Sequence, residues 1–409
     1  MNGDPLPCDV VIFGGGAAGL WALDVLLARG LSAVLLESDR LGGGQTVCAQ
    51  GIIHGGMKYT LNGVLSGSAA AIRDMPDLWR ACLAGRREPH LTGTRVRADH
   101  CYLWRTGGAR GRLGMIGARI GLRAKPKPVP ADERPEPLAS CPGTVARIAE
   151  PVIDPASLVK ELGCRHHRCI MKVDATQGIV MDRDDAGRIT CITLSPPGGG
   201  DRCRIEPRTV ILTAGAGNAA LAGMAGIGTA VRQQERPLHM LMIRGRLPEL
   251  NGHCVDGART RVTITTDSDS AGRTVWQVGG QIAEDGVRME PDTLIRHGAA
   301  EIRAVLPGID LDGVEWATYR IDRAEAAGGA RRGRPDDAFV TAVNNVIVAW
   351  PTKLALVPRL AQRISELVAP PGRLGHPGRQ AVAGVPDRWP RPGLARPPWE
   401  STEQWSSDA

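Results

Sequence analysis

Two rhythms of apolar residues divide this chain. Val10–Phe13 is a short run rich in β-branched residues, closed at once by Gly14-Gly15-Gly16 and too short for a buried helix, so it predicts a buried parallel strand. Ala17–Arg29 carries apolar residues at helical spacing and stops at Gly30, a residue suited to a helix C-terminus. Ser32–Leu36 predicts a second buried strand, with Glu37 at its carboxyl end. Helical spacing returns over Ser66–Leu83 and over Asp154–Gly163, where Asp154 is placed as N-cap before Pro155. Ser140–Ile148 reads as a strand, and residues 170–215 as a small β-meander ending at the glycine turn after Thr213. From Arg236 the texture changes. Leu238–Arg244, Arg261–Thr266 and Thr274–Gln277 predict an antiparallel sheet, followed by a helix over Pro291–Leu306. A last apolar strand at 345–350 runs into a helix from about Leu354 to Val368.

Chemistry enters with the glycines. Gly14, Gly16 and Gly19 stand at G-x-G-x-x-G spacing, a weak signal alone in a chain with 52 glycines. Strand, glycines, helix, strand and acid in this order make it strong. The first glycine permits a tight turn, the second lets backbone approach a pyrophosphate, and the third lets the helix pack on the sheet. The amides at Ala17 and Ala18 then face the phosphates. Glu37 is placed to accept hydrogen bonds from a ribose. The chain is therefore an α/β protein with a dinucleotide site.

Composition narrows the class. With 409 residues, 43% apolar and 23% charged, the chain has room for two domains. No apolar run approaches the ~20 residues of a spanning helix, and Met1–Pro7 lacks a basic leader, so a cytoplasmic protein is expected. Ten cysteines without C-x-x-C pairs argue against a disulfide framework. Cys164-Arg-His-His-Arg-Cys169 has no second ligand cluster, so no metal is assigned and its residues read as core cysteines and surface histidines. The net charge of +7 is local: residues 86–134 hold twelve Arg/Lys against four Asp/Glu. That stretch reads first as a solvated insertion. A membrane-surface contact is the second reading, and nucleic acid is disfavoured because no aromatic interleaving accompanies the charge.

After Glu37 come Ser38, Gly42-Gly43-Gly44-Gln45-Thr46 and then Gln50-Gly51-Ile52-Ile53-His54-Gly55-Gly56-Met57-Lys58-Tyr59, glycine-rich backbone suited to lie against a flat ligand. Together with G-G-G-A-A-G and Glu37, the G-I-I-H-G-G-M-K-Y segment resembles the D-amino-acid oxidase superfamily of flavoproteins. It is most similar to the branch containing L-2-hydroxyglutarate dehydrogenase and FAD-linked glycerol-3-phosphate dehydrogenase. Thr209–Asn218, TVILTAGAGN, resembles the family's later strand returning to the cofactor, which adds Ala214 and Gly215 to the contacts implied. The resemblance implies a Rossmann-like FAD-binding domain and a second, mainly antiparallel β (α+β) substrate domain roofing the pocket. On that scheme 1–85, 138–230 and 316–369 form the cofactor domain, 86–137 the basic insertion, 231–315 the substrate domain and 370–409 a Pro-rich tail that wraps the surface or stays disordered.

FAD also fits better than NAD physically. Candidate contacts spread over 14–59, 209–218 and 344–354, as a retained cofactor requires, and only one dinucleotide fingerprint is present. The expected reaction is hydride transfer from a CH–OH or CH–NH₂ carbon of a small acid or polyol phosphate to flavin N5, with O₂ or a quinone as electron acceptor. Alternatives are a peripheral quinone-reducing dehydrogenase and a flavin-binding protein of RNA modification or regulation. His54 is the candidate base; equally, it holds the loop or flavin by a hydrogen bond. Arg320 or Arg323 is a carboxylate clamp or an ion-pair partner of Asp322 or Glu325. Lys353 sits over the flavin N1–C2=O edge or caps its loop, in a W-P-T-K turn where the family has a Gly-rich one. Cys48 lies too near the ribose end to tether flavin.

Overall fold

A computed structural model describes residues 4–56, 71–107, 126–256, 259–328, 335–370 and 388–407. Met57, Lys58 and Tyr59, and the first part of the helix expected over Ser66–Leu83, lie outside the described residues; its second part forms a helix over Met75–Leu83. The first strand, β1, runs Leu6–Phe13. Val10 and Ile12 enter one apolar core while Cys8, Val11 and Phe13 enter another on the opposite face. A strand covered on both faces leaves no place for polar alternation, hence the continuous apolar run. Helix α1 (Ala17–Ala28) follows, with Gly30 at φ +80° just past its end, and β2 (Ala33–Glu37) lies parallel beside β1.

The first sheet has eight strands. Six run in the order Ile179–Arg183, Ile189–Leu194, Cys203–Leu212, β1, β2, Ile170–Lys172. Val346–Trp350 joins Cys203–Leu212 in parallel, with Phe339–Val343 antiparallel to it. The expected meander is thus split: Ile170–Lys172 extends the parallel sheet beside β2, and only the later strands form an antiparallel flap.

The second sheet forms a roof, in the order Glu315–Ala326, Gln233–Gly245, Thr274–Gly279, Arg259–Ser268, Gly252–Asp256, Cys101–Trp104, Val145–Ile148, Lys127–Pro128. Its outer face is covered by the helix Pro291–Val305. Two expected boundaries move. The span assigned to a basic insertion contributes two roof strands, and Glu315–Ala326 pairs along its length with Gln233–Gly245, so the chain re-enters the cofactor sheet at Phe339 rather than 316. Three of the basic residues described in that span are engaged internally, while Arg86, Arg87 and Lys127 are exposed. Arg95 and Arg97 pair with Asp154 and Asp267, and Arg134 donates to the carbonyls of Cys141 and Gly143 at 2.6 and 3.1 Å. Among the described residues no helix is long and apolar enough to cross a membrane.

The tail does more than wrap. Gly393–Leu394 pairs in parallel with Arg40–Leu41, Trp389 Nε1 donates to the Lys172 carbonyl at 2.8 Å, and Trp399 is buried against Met242, Val275 and Ala317 of the roof. It ties the two sheets together.

One charge lies inside the first core. Asp24 of α1 is fully buried and holds Arg165 Nη1 at 3.0 Å and His166 Nε2 at 2.7 Å, fixing α1 to the helix Pro155–Arg165. His166 is therefore a buried partner of Asp24, not a surface histidine, and Cys164 is exposed rather than core. Burial works against the Asp24 carboxylate, but hydrogen bonds and charge from His166 and Arg165 outweigh it and hold the pKa below the ordinary value. Asp24→Ala should lower stability by roughly 3–5 kcal/mol near neutral pH, because the Arg165 guanidinium and the buried His166 ring lose their carboxylate partner. A depressed folded pKa contributes stability above the unfolded value of about 3.9 and loses it as pH falls through the folded one. Urea midpoints of wild type and variant should therefore converge in acid; a gap independent of pH would show that the charge contributes nothing.

Candidate functional site

The fingerprint glycines do different physical work. Gly14 has φ +103°, and a Cβ there would stand 2.5 Å from Ala214 Cα. At Gly19 a Cβ would stand 2.0 Å from the Gly14 carbonyl oxygen. Both positions are closed to side chains by backbone. Gly16 is different: its Cβ would meet Thr46 Oγ1 alone, at 3.1 Å. The protein's own packing does not demand glycine at Gly16, so what glycine keeps open is the approach to the N-terminus of α1, as a pyrophosphate needs. Thr46 Oγ1 accepts from the Ala17 amide at 3.1 Å and lies at that same end. Glu37 is fixed at the end of β2 by the Gly15 amide at 2.7 Å and the Asp39 amide at 2.9 Å, with Ser38 exposed beside it. Ala18 is buried behind the turn.

The distant stretches converge here. Thr213 donates its amide to the Phe13 carbonyl at 2.8 Å, bringing Ala214 and Gly215 against Gly14, and Gln45 Nε2 lies 3.4 Å from where a Gly215 Cβ would stand. Trp350 Nε1 donates to the Gly215 carbonyl at 3.1 Å, and buried Asn218 joins the Ala214 amide to the Ala349 carbonyl. Asn218 is a site-building residue that the sequence reading passed over.

Beyond Thr46 the loop turns to the roof. Gln50 Nε2 donates to the Thr263 and Gln277 carbonyls at 3.0 and 2.8 Å, and the Cys48 carbonyl accepts from Gln277 Nε2 at 2.8 Å and Tyr319 Oη at 3.0 Å. Gln50, expected on the cofactor, is thus engaged in joining the loop to the roof. The Gly51 and Ile53 backbones likewise pair with the Pro151–Ile153 backbone, and at Gly51 a Cβ would stand 2.0 Å from the Ile153 carbonyl oxygen. Burial, with the nearby Cys48 thiol, pushes the Tyr319 phenol far above its ordinary pKa, so it stays a donor. Burial lifts the Cys48 thiol to about 11, which leaves it protonated and unsuited to tether a flavin.

Next along this loop, His54 Nδ1 lies 3.1 Å from Glu150 Oε2, while Glu150 Oε1 accepts from the Gly55 amide at 2.7 Å. His253 projects from the roof with its ring 5.4 Å from that of His54, its Nε2 4.0 Å from Glu150 Oε2 and its Nδ1 2.9 Å from Thr263 Oγ1. Glu150 is 3% exposed, His253 0% and His54 16%, so the carboxylate is shielded and the His54 imidazole is the open member. Sequence reasoning found His54 and missed its partners. No short-range signal marks Glu150 or His253, which reach His54 across 96 and 199 residues of chain (150 minus 54, 253 minus 54).

Arg320 is not at this site. Side chains alternate along Glu315–Ala326, so Tyr319, which touches the loop, and Arg320 point to opposite faces. Arg320 is exposed and donates to the Val287 and Met289 carbonyls at 2.8 and 2.9 Å. Arg320→Ala should change the rate of cofactor reduction by less than about twofold, as exposed substitutions do; a large loss would return the clamp role to it. Arg323 stands 3.7 Å from Glu284, and the expected partner Glu325 is held by Arg236 instead. Lys353 is buried at the start of the turn Leu354–Leu356, just after Thr352, whose φ of +57° is the left-handed backbone that glycine usually provides.

Comparison with known proteins agrees with this construction. Residues 9–350 match the family model DAO, FAD dependent oxidoreductase. A probable FAD-dependent oxidoreductase of Pseudomonas aeruginosa, PA4991, is 38% identical over 401 residues, covering 97% of this chain and 98% of that one. Its crystal structure superposes with a TM-score of 0.79 at 34% identity, over 98% of this chain and 99% of that one. L-Proline dehydrogenase from P. horikoshii shares the fold at 14% identity, with a TM-score of 0.64 over 89% of this chain and 94% of that one. So does L-α-glycerophosphate oxidase from Mycoplasma pneumoniae with FAD bound, at 14% identity and a TM-score of 0.59 over 88% and 94%. With the fingerprint, the converging stretches and the roof all in place, the chain belongs to the DAO family of FAD-dependent oxidoreductases.

Proposed function

We propose that this enzyme oxidises a CH–NH₂ or CH–OH carbon of a small acid or polyol phosphate, with His54 taking the heteroatom proton. The observation that carries the reading is the His54–Glu150 contact on the loop that continues directly from the dinucleotide fingerprint. FAD, when bound, supplies the hydride acceptor. The chain's residues do the rest. Glu150, fixed by the Gly55 amide, holds Nδ1 of His54, and Nε2 is the nitrogen we assign to take the proton; the negative charge of Glu150 stabilises the imidazolium that results. The roof strands bearing Gln277 and Tyr319 close over the loop and exclude water. Gly14, Gly16, Ala17, Thr46, Glu37, Gln45, Ala214 and Gly215 are the residues we assign to the dinucleotide, and Lys353 to the pyrimidine edge of the ring.

The G-I-I-H-G-G-M-K-Y segment supports a place near the L-2-hydroxyglutarate and glycerol-3-phosphate dehydrogenase branch, which keeps hydroxyl donors beside amines among the substrates. O₂ or a quinone is the acceptor on this reading. A membrane or RNA contact through the basic stretch would draw on exposed Arg86, Arg87 and Lys127 and on residues 108–125, outside the described ones, since Arg95, Arg97 and Arg134 are engaged internally.

Anaerobic addition of hydroxy acids, amino acids and glycerol 3-phosphate to the purified enzyme tests the proposal. One of these should bleach the flavin absorbance. If none of the three classes does so while a chemical reductant does, the substrate class is wrong.

A further inference from the structure

The three side chains around Glu150 have a second chemistry. His54, Glu150 and His253 each offer one ligand atom, and these atoms all lie within 4.8 Å of one another. Two imidazoles and a carboxylate form the donor set of open zinc sites, where bonds of about 2.0–2.2 Å place ligand atoms about 3.4 Å apart. The spacings here bracket that value: 3.1 Å from His54 Nδ1 to Glu150 Oε2 and 4.0 Å from His253 Nε2 to the same oxygen.

The outer contacts fit as well. A metal-bound imidazole usually hydrogen-bonds through its other nitrogen, and a ligating carboxylate through its other oxygen. His253 Nδ1 already contacts Thr263 Oγ1 at 2.9 Å, which orients Nε2 toward Glu150, and Glu150 Oε1 already accepts the Gly55 amide at 2.7 Å, while Oε2 is the oxygen that faces both imidazoles. Access follows from burial: His253 and Glu150 are closed off and His54 is the more open member, so an ion enters from the His54 side.

We infer that His54, Glu150 and His253 form a three-ligand site for a divalent cation of the zinc class. Nitrogen donors select Zn²⁺ or Co²⁺ over Mg²⁺ and Ca²⁺, which require oxygen. A bound ion takes His54 Nδ1 and the Glu150 charge together, so on the proposed function, on which this consequence rests, it slows oxidation of substrate. Occupation and proton transfer become alternatives at one imidazole.

The test is calorimetric titration of Zn²⁺ into the FAD-loaded enzyme after chelator treatment and removal, with the Co²⁺ difference spectrum as a second readout. One equivalent should bind, with Mg²⁺ not competing. His54→Ala and His253→Gln should each weaken binding at least about tenfold, and Thr263→Val by about tenfold through the outer contact. An unchanged flavin spectrum certifies that each variant is folded, and the more exposed His54→Ala is decisive if His253→Gln is not. Absence of saturable binding, or affinity unchanged in His54→Ala, overturns the site. Tight binding that leaves substrate oxidation at full rate supports the cation site and refutes His54 as proton acceptor, so the two failures are separate.

Discussion

Gly16→Val should yield a folded protein that does not retain FAD. Gly14 and Gly19 are closed by backbone, but at Gly16 the first added carbon meets only the Thr46 hydroxyl, so the apoprotein can accommodate it while the phosphates cannot. We expect FAD affinity to fall at least ~100-fold, about 2.7 kcal/mol. Excess FAD should raise the melting temperature of wild type and leave that of the variant nearly unmoved, because only a ligand that binds the native state stabilises it. Gly19→Ala makes the contrast. Its Cβ would press on the Gly14 carbonyl oxygen at 2.0 Å and Thr213 Oγ1 at 2.8 Å, so it should lower the stability of the apoprotein itself, typically by ~1–3 kcal/mol. A Gly16→Val protein purified with a wild-type flavin-to-protein ratio would show that the phosphates do not lie at this helix.

His54→Ala has the second large effect: flavin occupancy retained, and substrate-dependent bleaching slowed about 10²–10⁴-fold, the usual yield of a positioned acid–base group. That range corresponds to about 2.7–5.4 kcal/mol of barrier. Glu150→Gln separates positioning from proton acceptance. It keeps the shape of the side chain and removes the charge that stabilises the imidazolium, and should cost on the order of 10² in the maximal rate with little change in the substrate concentration at half-maximal rate. Stopped-flow reduction at saturating substrate reads both. A His54→Ala enzyme reduced at the wild-type rate would remove the imidazole from proton transfer.

What the sequence revealed was whatever repeats within a turn or a strand. The fingerprint from Val10 to Glu37 is local, and its strand, helix and strand stand within a few residues of expectation. Asp154 accepts from the Ala156 amide at 3.0 Å as N-cap of the helix beginning at Pro155, a contact spanning two residues. The roof was legible in part, from the alternation at 238–244 and 261–266, but Glu315–Ala326 was given to the wrong sheet because a strand's own pattern does not name its neighbour. Arg320 failed for a related reason. Residue type suggests a clamp, whereas the pleat decides the face, and Tyr319 next to it faces the loop instead. Glu150 and His253 carry no local signature; only the meeting of Val152 and Ile153 with the His54 loop, and of Gly252–Asp256 with the roof, makes them a site. The Pro-rich tail has too little periodicity to predict a core, yet Trp399 fills one already built by Met242, Val275 and Ala317.

The pairing of β1 with Cys203–Leu212 bears on how the molecule is made. Leu6 pairs with Ile205, a partner 199 residues later (205 minus 6). At a synthesis rate of about 5–20 residues per second, that partner emerges roughly 10–40 s after its strand. During that interval β1 has β2 on one side and an unmatched apolar edge on the other, a surface suited to chaperones and prone to aggregation. Slow steps of this kind follow from loop closure over long chain separations. Yield of active enzyme should therefore respond more to temperature and chaperone supply during expression than the stability of the finished fold would suggest.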